Sequence, residues 1–145
     1  MKWKTIIMSA WKKELSVGNK ILDSEHRNLL DIVGKISHLI AVREITALLE
    51  AFELLESRLY GYFAVEEKIA QAVNFDFTGH KFAHQYLLAR VERIKNKLLT
   101  SNGSWSDEEG RNYANSLMYC FTTHIKEDGK PLKIVLDTYL YDFNP

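Results

Sequence analysis

The scarcity of proline is the feature that most constrains how this chain can fold. Only two prolines occur, Pro131 and the terminal Pro145. A proline inside a helix removes a backbone hydrogen bond and clashes with the preceding turn. Long stretches are therefore free to be helical, and the spacing of the apolar residues decides where the helices lie.

Apolar residues recur at helical spacing in four long stretches, which are predicted as helices over residues 20–42, 45–73, 79–100, and from a cap at Ser106 to about 126. Thr78 is the predicted N-cap of the third helix, and a short C-terminal helix is predicted over 132–140. No strand pattern of comparable strength competes. Because the connections are short, the sequence predicts an all-α, antiparallel four-helix bundle with an N-terminal arm, forming one domain over residues 1–145.

Composition narrows the choice of partner and location. Lysine plus arginine equals aspartate plus glutamate at 19 each, and this balance argues against nucleic acid, which usually needs a basic face. No apolar run approaches the roughly 20 residues that span a bilayer, so no membrane partner is expected. Cys120 is the single cysteine, a predicted small core residue, and with no disulfide possible we expect a cytoplasmic protein. Trp3 and Trp11 predict that the arm packs on the bundle.

Three of the four helices carry two polar side chains one turn apart on the same face, at about 100° per residue. These pairs are Tyr62 with Glu66, His80 with His84, and His124 with Asp128. On the first helix, His26 stands alone within an apolar stripe. His38 lies on a different face from His26 and is left out of the site.

Each of these features alone has an ordinary explanation. A buried histidine often has a hydrogen-bond partner, a histidine pair arises by chance, a tyrosine–glutamate pair is usually a surface contact, and a terminal aspartate can belong to a helix end. Together, however, four consecutive helices supply imidazoles and carboxylates that can meet at one depth. Helical bundles build carboxylate-bridged dimetal sites in this way, and bound metal compensates groups that would otherwise be costly to bury.

In order and spacing, these residues resemble those of the hemerythrins, and of the bacterial hemerythrins most closely, over essentially the whole chain. The shared elements are Trp11 with Ser16-Val17-Gly18, Asp23 with His26, Phe63 with Glu66-Glu67, His80 with His84, and His124-Ile125 with Asp128. The resemblance implies a four-helix bundle around two iron ions joined by an oxo or hydroxo oxygen. One iron would be held by His80, His84 and His124. The other would be held by His26 and residue 62, with Glu66 and Asp128 bridging the pair.

The sequence departs from the family's pattern in three places. Tyr62 stands where the family usually has a histidine, and the step from His124 to Asp128 is one residue shorter than usual, as is the stretch from Glu66 to His80. A loop or a local change in helix winding can absorb the two shorter steps, with Glu127 as a fallback for Asp128. For Tyr62 three outcomes stay open: it binds iron as phenolate, it holds a water in the ligand position, or it turns away.

Three functions follow from these residues and this resemblance. The first is a protein that binds O2 for storage, transport or sensing, rather than an enzyme. The alternative is a di-iron protein that reacts with peroxide or nitric oxide, because a phenolate at Tyr62 would favour ferric iron. The third is a metal-free helical adaptor that has kept the bundle and lost the chemistry.

Overall fold

The computed structural model describes residues 11–145, which form helices without any strand. The helices are α1 (Lys20–Val42), α2 (Ile45–Ala72), α3 (Thr78–Ser101), α4 (Asp107–Thr123) and α5 (Lys130–Leu136). A 3₁₀ turn at Lys13–Leu15 precedes α1, and a π-helical turn at His124–Asp128 continues α4. The predicted all-α class is confirmed. None of the helices in the described part of the chain is long and apolar enough to cross a membrane.

The four long helices form a ring in which each packs against two others: α1 contacts α2 and α4, and α3 contacts the same two. Short connections join them in chain order, so successive helices reverse direction. The core is filled by fully buried side chains of all four helices, among them Leu22, Val33, Phe52, Leu55, Val91 and Leu117. Burying each side chain of this size contributes about 1.5–3 kcal/mol, so the apolar stripes stabilise the bundle.

Helix ends follow local chemistry, with two departures from prediction. The N-cap of α3 is Phe77, which makes no side-chain cap hydrogen bond, so the prediction of Thr78 as the N-cap is wrong. Just before the helix, Asp76 Oδ1 accepts hydrogen bonds from the backbone N–H and the hydroxyl of Thr78. The short C-terminal helix ends at Leu136 and starts early, because Pro131 fits the first turn of a helix. At the start of α4, Ser106 and Glu109 form the capping box that the sequence predicts.

The winding of the chain changes just after α4. The backbone N–H of Gly129 donates to the carbonyl of His124 at 3.1 Å, the i→i+5 bond of a π turn. Residue 129 must be glycine for this turn to close, because a Cβ there would collide with the carbonyl oxygen of Ile125. The short step from His124 to Asp128 is thus accompanied by a local change in helix winding, as expected.

Asp23, in the first turn of α1, accepts hydrogen bonds from the residues just before this helix and from the C-terminal part of the chain. The backbone N–H of Val17 donates to Asp23 Oδ1 at 2.8 Å, and the hydroxyls of Ser16 and Tyr141 donate to Oδ2. These bonds fix the start of α1 one turn before His26. The depth at which His26 enters the bundle is therefore set by buried polar contacts as well as by apolar packing.

The predicted packing of the N-terminal arm holds for Trp11, which is half-buried against the core with the Arg27 guanidinium 4.9 Å from its ring. Trp3 lies outside the described residues. Cys120 is a free, half-buried thiol that packs at the edge of the core, so its side chain is less enclosed than predicted.

Candidate metal centre

Six of the seven predicted site residues lie together in the interior of the bundle. His26 comes from α1, Tyr62 and Glu66 from the second half of α2, His80 and His84 from the first two turns of α3, and His124 from the start of the π turn. Each has no more than 6% of its surface exposed. Buried imidazoles and carboxylates require partners, so the cluster must be satisfied internally or by a bound ion.

Four of these side chains form a group able to hold a metal ion. One ligand atom from each of Glu66, His80, His84 and His124 lies within 4.8 Å of the other three. Two ligands of a common cation, each about 2.1 Å from it, are at most about 4.2 Å apart. Movements of less than an ångström would therefore close the group around one cation.

The contacts of Glu66 Oε1 show that the residues fit a cation. His84 Nε2 lies 2.6 Å and His80 Nε2 lies 2.8 Å from this one oxygen. His84 makes a hydrogen bond to it, whereas the angle at His80 is unsuitable, so this buried nitrogen has no hydrogen-bond partner. Leaving such an atom unsatisfied costs about 1–3 kcal/mol. A cation between the two imidazoles and the carboxylate would give His80 Nε2 the partner it lacks.

The charge states of the cluster also suit a cation. Burial raises the pKa of Glu66, but the close contacts of His80 and His84 with this carboxylate outweigh it, so the pKa of this carboxyl lies well below its usual range. Burial lowers the pKa of His84, and it lowers the pKa of His26 to about 4. Glu66 is therefore an anionic carboxylate, and His26 and His84 are neutral imidazoles, which are the forms that ligate metals.

The hydroxyl of Tyr62 lies at the centre of a second set of contacts. It donates to Glu66 Oε2 at 2.8 Å and lies 2.9 Å from His26 Nε2 and 3.1 Å from His124 Nε2. Burial and the neighbouring Glu66 carboxylate raise the pKa of Tyr62 well above its ordinary value, so the side chain keeps its proton. Of the three outcomes that the sequence leaves open for Tyr62, turning away from the cluster is wrong.

Asp128 is the predicted site residue that the structure does not bring into the group. Its Oδ2 lies 3.1 Å from His124 Nδ1, which is on the outer edge of the imidazole, whereas Nε2 faces Tyr62. This hydrogen bond lowers the pKa of Asp128. Carboxylates placed in this way orient metal-binding histidines. The predicted bridging role would require Asp128 to reach the other edge of the ring, and the fallback residue Glu127 is exposed on the surface.

Two aromatic rings enclose the histidines of α3. Phe63 stacks on His84 with ring centroids 3.8 Å apart, and Phe77 stacks on His80 at 4.9 Å. Phe63 belongs to the motif in the sequence, but Phe77 was not predicted to be near the site. The sequence feature that could have predicted this contact is the spacing of three residues between Phe77 and His80, which places both side chains on one side of the helix start.

A cleft of about 280 Å³ reaches the group from the surface. Ala83, Arg90 and Cys120 line it together with His124 and Asp128. His124 therefore has a buried edge toward Glu66 and Tyr62 and an outer edge next to this opening.

A buried group of three histidines and one glutamate within a helical bundle defines a helical cation-binding protein. The sequence profile of the Hemerythrin HHE cation binding domain matches residues 17–130, which is most of the chain. The chain therefore belongs to the hemerythrin family, and the resemblance seen in its sequence is confirmed.

Among individual proteins, the chain is similar to the bacteriohemerythrins of Pseudomonas aeruginosa and Pseudomonas paraeruginosa. It is 23% identical to each over 86 residues, which cover 59% of this chain and 56% of the relative. The matched segment thus spans little more than half the length of these curated relatives. No solved structure matches the chain significantly.

Proposed function

We propose that this chain is a non-haem iron protein that binds O2, for storage, transport or sensing, at the centre formed by Glu66, His80, His84 and His124. The observation that carries the proposal is the convergence of these four ligand atoms at one buried point. Membership of the hemerythrin family supports a small ligand such as O2. The single cysteine supports a reducing compartment such as the cytoplasm.

The donor set supports a redox-active transition metal. Imidazole and carboxylate ligands suit iron, manganese and zinc, and iron is the ion that the family favours. When bound, iron would supply electrons to O2 in a reversible reaction. The chain's own contribution is to hold three imidazoles and one carboxylate in place and to keep bulk water away with the stacked rings of Phe63 and Phe77.

The cleft beside His124 supports entry of a small molecule. His124 and Asp128 are among its lining residues, so a diatomic ligand that enters it meets the edge of the metal-binding group. The hydrogen bond from His124 Nδ1 to Asp128 holds the imidazole at this opening.

The test is to load the metal-free protein with Fe(II) without air, remove excess iron, and then add O2 while recording visible absorption. Wild type should retain iron and develop an absorption band with O2 that disappears under inert gas. His84→Ala should lose most of the iron, because a buried ligand is removed. His38→Ala is the matched control, since His38 is an exposed histidine, and it should behave as wild type.

Two results would count against the proposal. Iron retention by His84→Ala equal to that of wild type would show that iron binds elsewhere. An iron-loaded wild type that does not respond to O2 would exclude O2 as the ligand.

The second candidate function is reaction with peroxide or nitric oxide, and the position of Tyr62 favours it. A phenol inside the cluster can hold or give up a proton at Glu66 Oε2, 2.8 Å away. If Tyr62 binds iron as phenolate, the iron-loaded protein should show a broad visible band that Tyr62→Phe lacks. Consumption of peroxide by wild type, reduced in Tyr62→Phe at equal iron content, would favour this function over reversible O2 binding.

A further inference from the structure

The geometry points to one bound cation per chain, with the Tyr62 hydroxyl filling the place that a second cation would occupy. This inference rests on the proposed metal centre and adds its stoichiometry. One cation per chain differs from the two irons that the family resemblance implies. The inference concerns which residues of the chain hold a cation, and it does not depend on which ligand the iron binds.

The contacts of the hydroxyl define the place. His26 Nε2 and Glu66 Oε2 are the atoms that would hold the second cation, and they lie 2.9 Å and 2.8 Å from Tyr62 Oη. A cation bound to both would lie about 2.1 Å from each, along their lone pairs. Hydrogen bonds follow the same directions, so Oη and the cation would compete for one point.

Packing keeps the tyrosine in this place. Its side chain is among the largest that are fully buried, with 1% of its surface exposed. Its ring meets the rings of His26 edge-on at 5.1 Å, Phe63 at 5.5 Å and His124 edge-on at 6.0 Å. Protein interiors are close-packed, so making room for a second cation would require these neighbouring side chains to repack.

The count of buried charges gives a separate argument. Glu66 is the one carboxylate inside the cluster, whereas Asp128 lies on the outer edge of His124 with 43% of its side chain exposed. One divalent cation beside Glu66 leaves a small net charge. Two divalent cations would be balanced by only one buried carboxylate, so a large net positive charge would remain in the interior. Uncompensated buried charge is costly.

The two carboxylate oxygens of Glu66 face different partners. Oε1 faces His80 and His84, on the side of the metal-binding group, and Oε2 accepts the proton of Tyr62. Glu66 therefore joins a cation to a phenol rather than to a second cation. Tyr62 acts as a positioning residue, because its hydroxyl contacts both Glu66 and His124, which are two of the four ligands.

The experiment is an anaerobic titration of metal-free protein with Fe(II), followed by desalting, iron and protein determination, and EPR after oxidation. Wild type should retain one iron per chain and give the EPR signal of an isolated high-spin ferric ion. Tyr62→His should retain two, because the imidazole removes the hydroxyl and adds a ligand. The ferric pair in Tyr62→His should be coupled and EPR-silent.

Tyr60→His is the matched control, because Tyr60 is on the same helix but 62% exposed, and it should retain one iron. Two irons in wild type would overturn the inference and leave the proposed function intact. One iron in a folded Tyr62→His would also overturn it, since the tyrosine would then not be what excludes the second ion. The wild-type stoichiometry and EPR signal decide the matter alone if Tyr62→His does not fold.

Other results separate the two proposals. One iron in wild type without any response to O2 would support the inference and defeat the proposed function. No iron in wild type would overturn both, because the inference depends on the metal centre.

Discussion

The metal-free protein should lose stability as the pH falls from 6.5 to 4, and His26 should cause a large part of the loss. This side chain is 1% exposed, its Nε2 contacts Tyr62 Oη, and its Nδ1 has no hydrogen-bond partner. Burial lowers the pKa of His26 from 6.5 to about 4, although the Glu66 carboxylate opposes the effect. The unfolded chain therefore takes up the proton at a higher pH than the folded chain.

The direction and the size of the change in stability follow from this difference in pKa between the folded and unfolded chain. Above pH 6.5 both states hold a neutral imidazole, and the folded state keeps its full stability. Between pH 6.5 and 4 the unfolded state binds the proton and the folded state does not, so stability falls until both are protonated. At about 1.4 kcal/mol per pH unit, a window of this width corresponds to about 3 kcal/mol. This is a large share of the free energy of unfolding of an ordinary domain.

The assay is urea unfolding in the presence of a chelator, at neutral pH and at several lower values down to pH 4. Wild type should lose about 3 kcal/mol more than His26→Gln over this range, since the variant lacks the titrating group. The pKa of His84 is also lowered by burial, but His84 is present in both proteins and largely cancels. His38→Gln removes an exposed histidine from the same helix and should follow wild type. Parallel pH curves for wild type and His26→Gln would refute the argument.

Four further outcomes are expected. Gly129→Ala should destabilise the protein by about 1–3 kcal/mol in urea unfolding, because the added Cβ collides with the Ile125 carbonyl; no change would show that the π turn can relax. Ser106→Ala should cost about 1 kcal/mol in the same assay through loss of the α4 cap, and an unchanged midpoint would contradict it. Fe(II) at about 100 times its dissociation constant should stabilise the metal-free protein by about 2.7 kcal/mol, whereas an unchanged thermal midpoint would argue against binding to the folded state. Ala83→Phe should slow O2 association in stopped-flow measurements at unchanged iron content, because the ring narrows the cleft; an unchanged rate would assign entry elsewhere.

The helices could be predicted from the sequence because they depend on local features. The absence of proline before Pro131 and the spacing of apolar residues place α1 and α2 within a residue of their observed ends. Arg43 separates these two helices by adopting a left-handed conformation, with φ 57°, and a single non-glycine residue of this kind carries no clear signal. The N-cap of α3 is Phe77, which carries no capping signal, whereas Thr78 one residue later is a favoured capping residue by type.

The convergence of the metal-binding group could also be predicted, but its internal arrangement could not. Spacing of four residues places His80 beside His84 and Tyr62 above Glu66, whatever the details of packing. The edge of His124 that meets Asp128 depends on the winding of the π turn and on one side-chain rotamer. The direction of the Tyr62 hydroxyl depends on the rings that surround it. Both are set by tertiary packing, which the spacing of residues along the chain does not contain.

A tyrosine at position 62 changes what the cluster can hold without changing the helices that hold it. Imidazole offers a lone pair to a cation, whereas the buried phenol of Tyr62 keeps its proton and donates a hydrogen bond to Glu66 Oε2. The hydroxyl meets the same two atoms, His26 Nε2 and Glu66 Oε2, that a cation would otherwise satisfy. Because Tyr62 supplies a partner to both of these atoms, the bundle can remain folded without a cation between them. The other side of the cluster still has His80 Nε2 without a partner, and so the demand for a cation persists there.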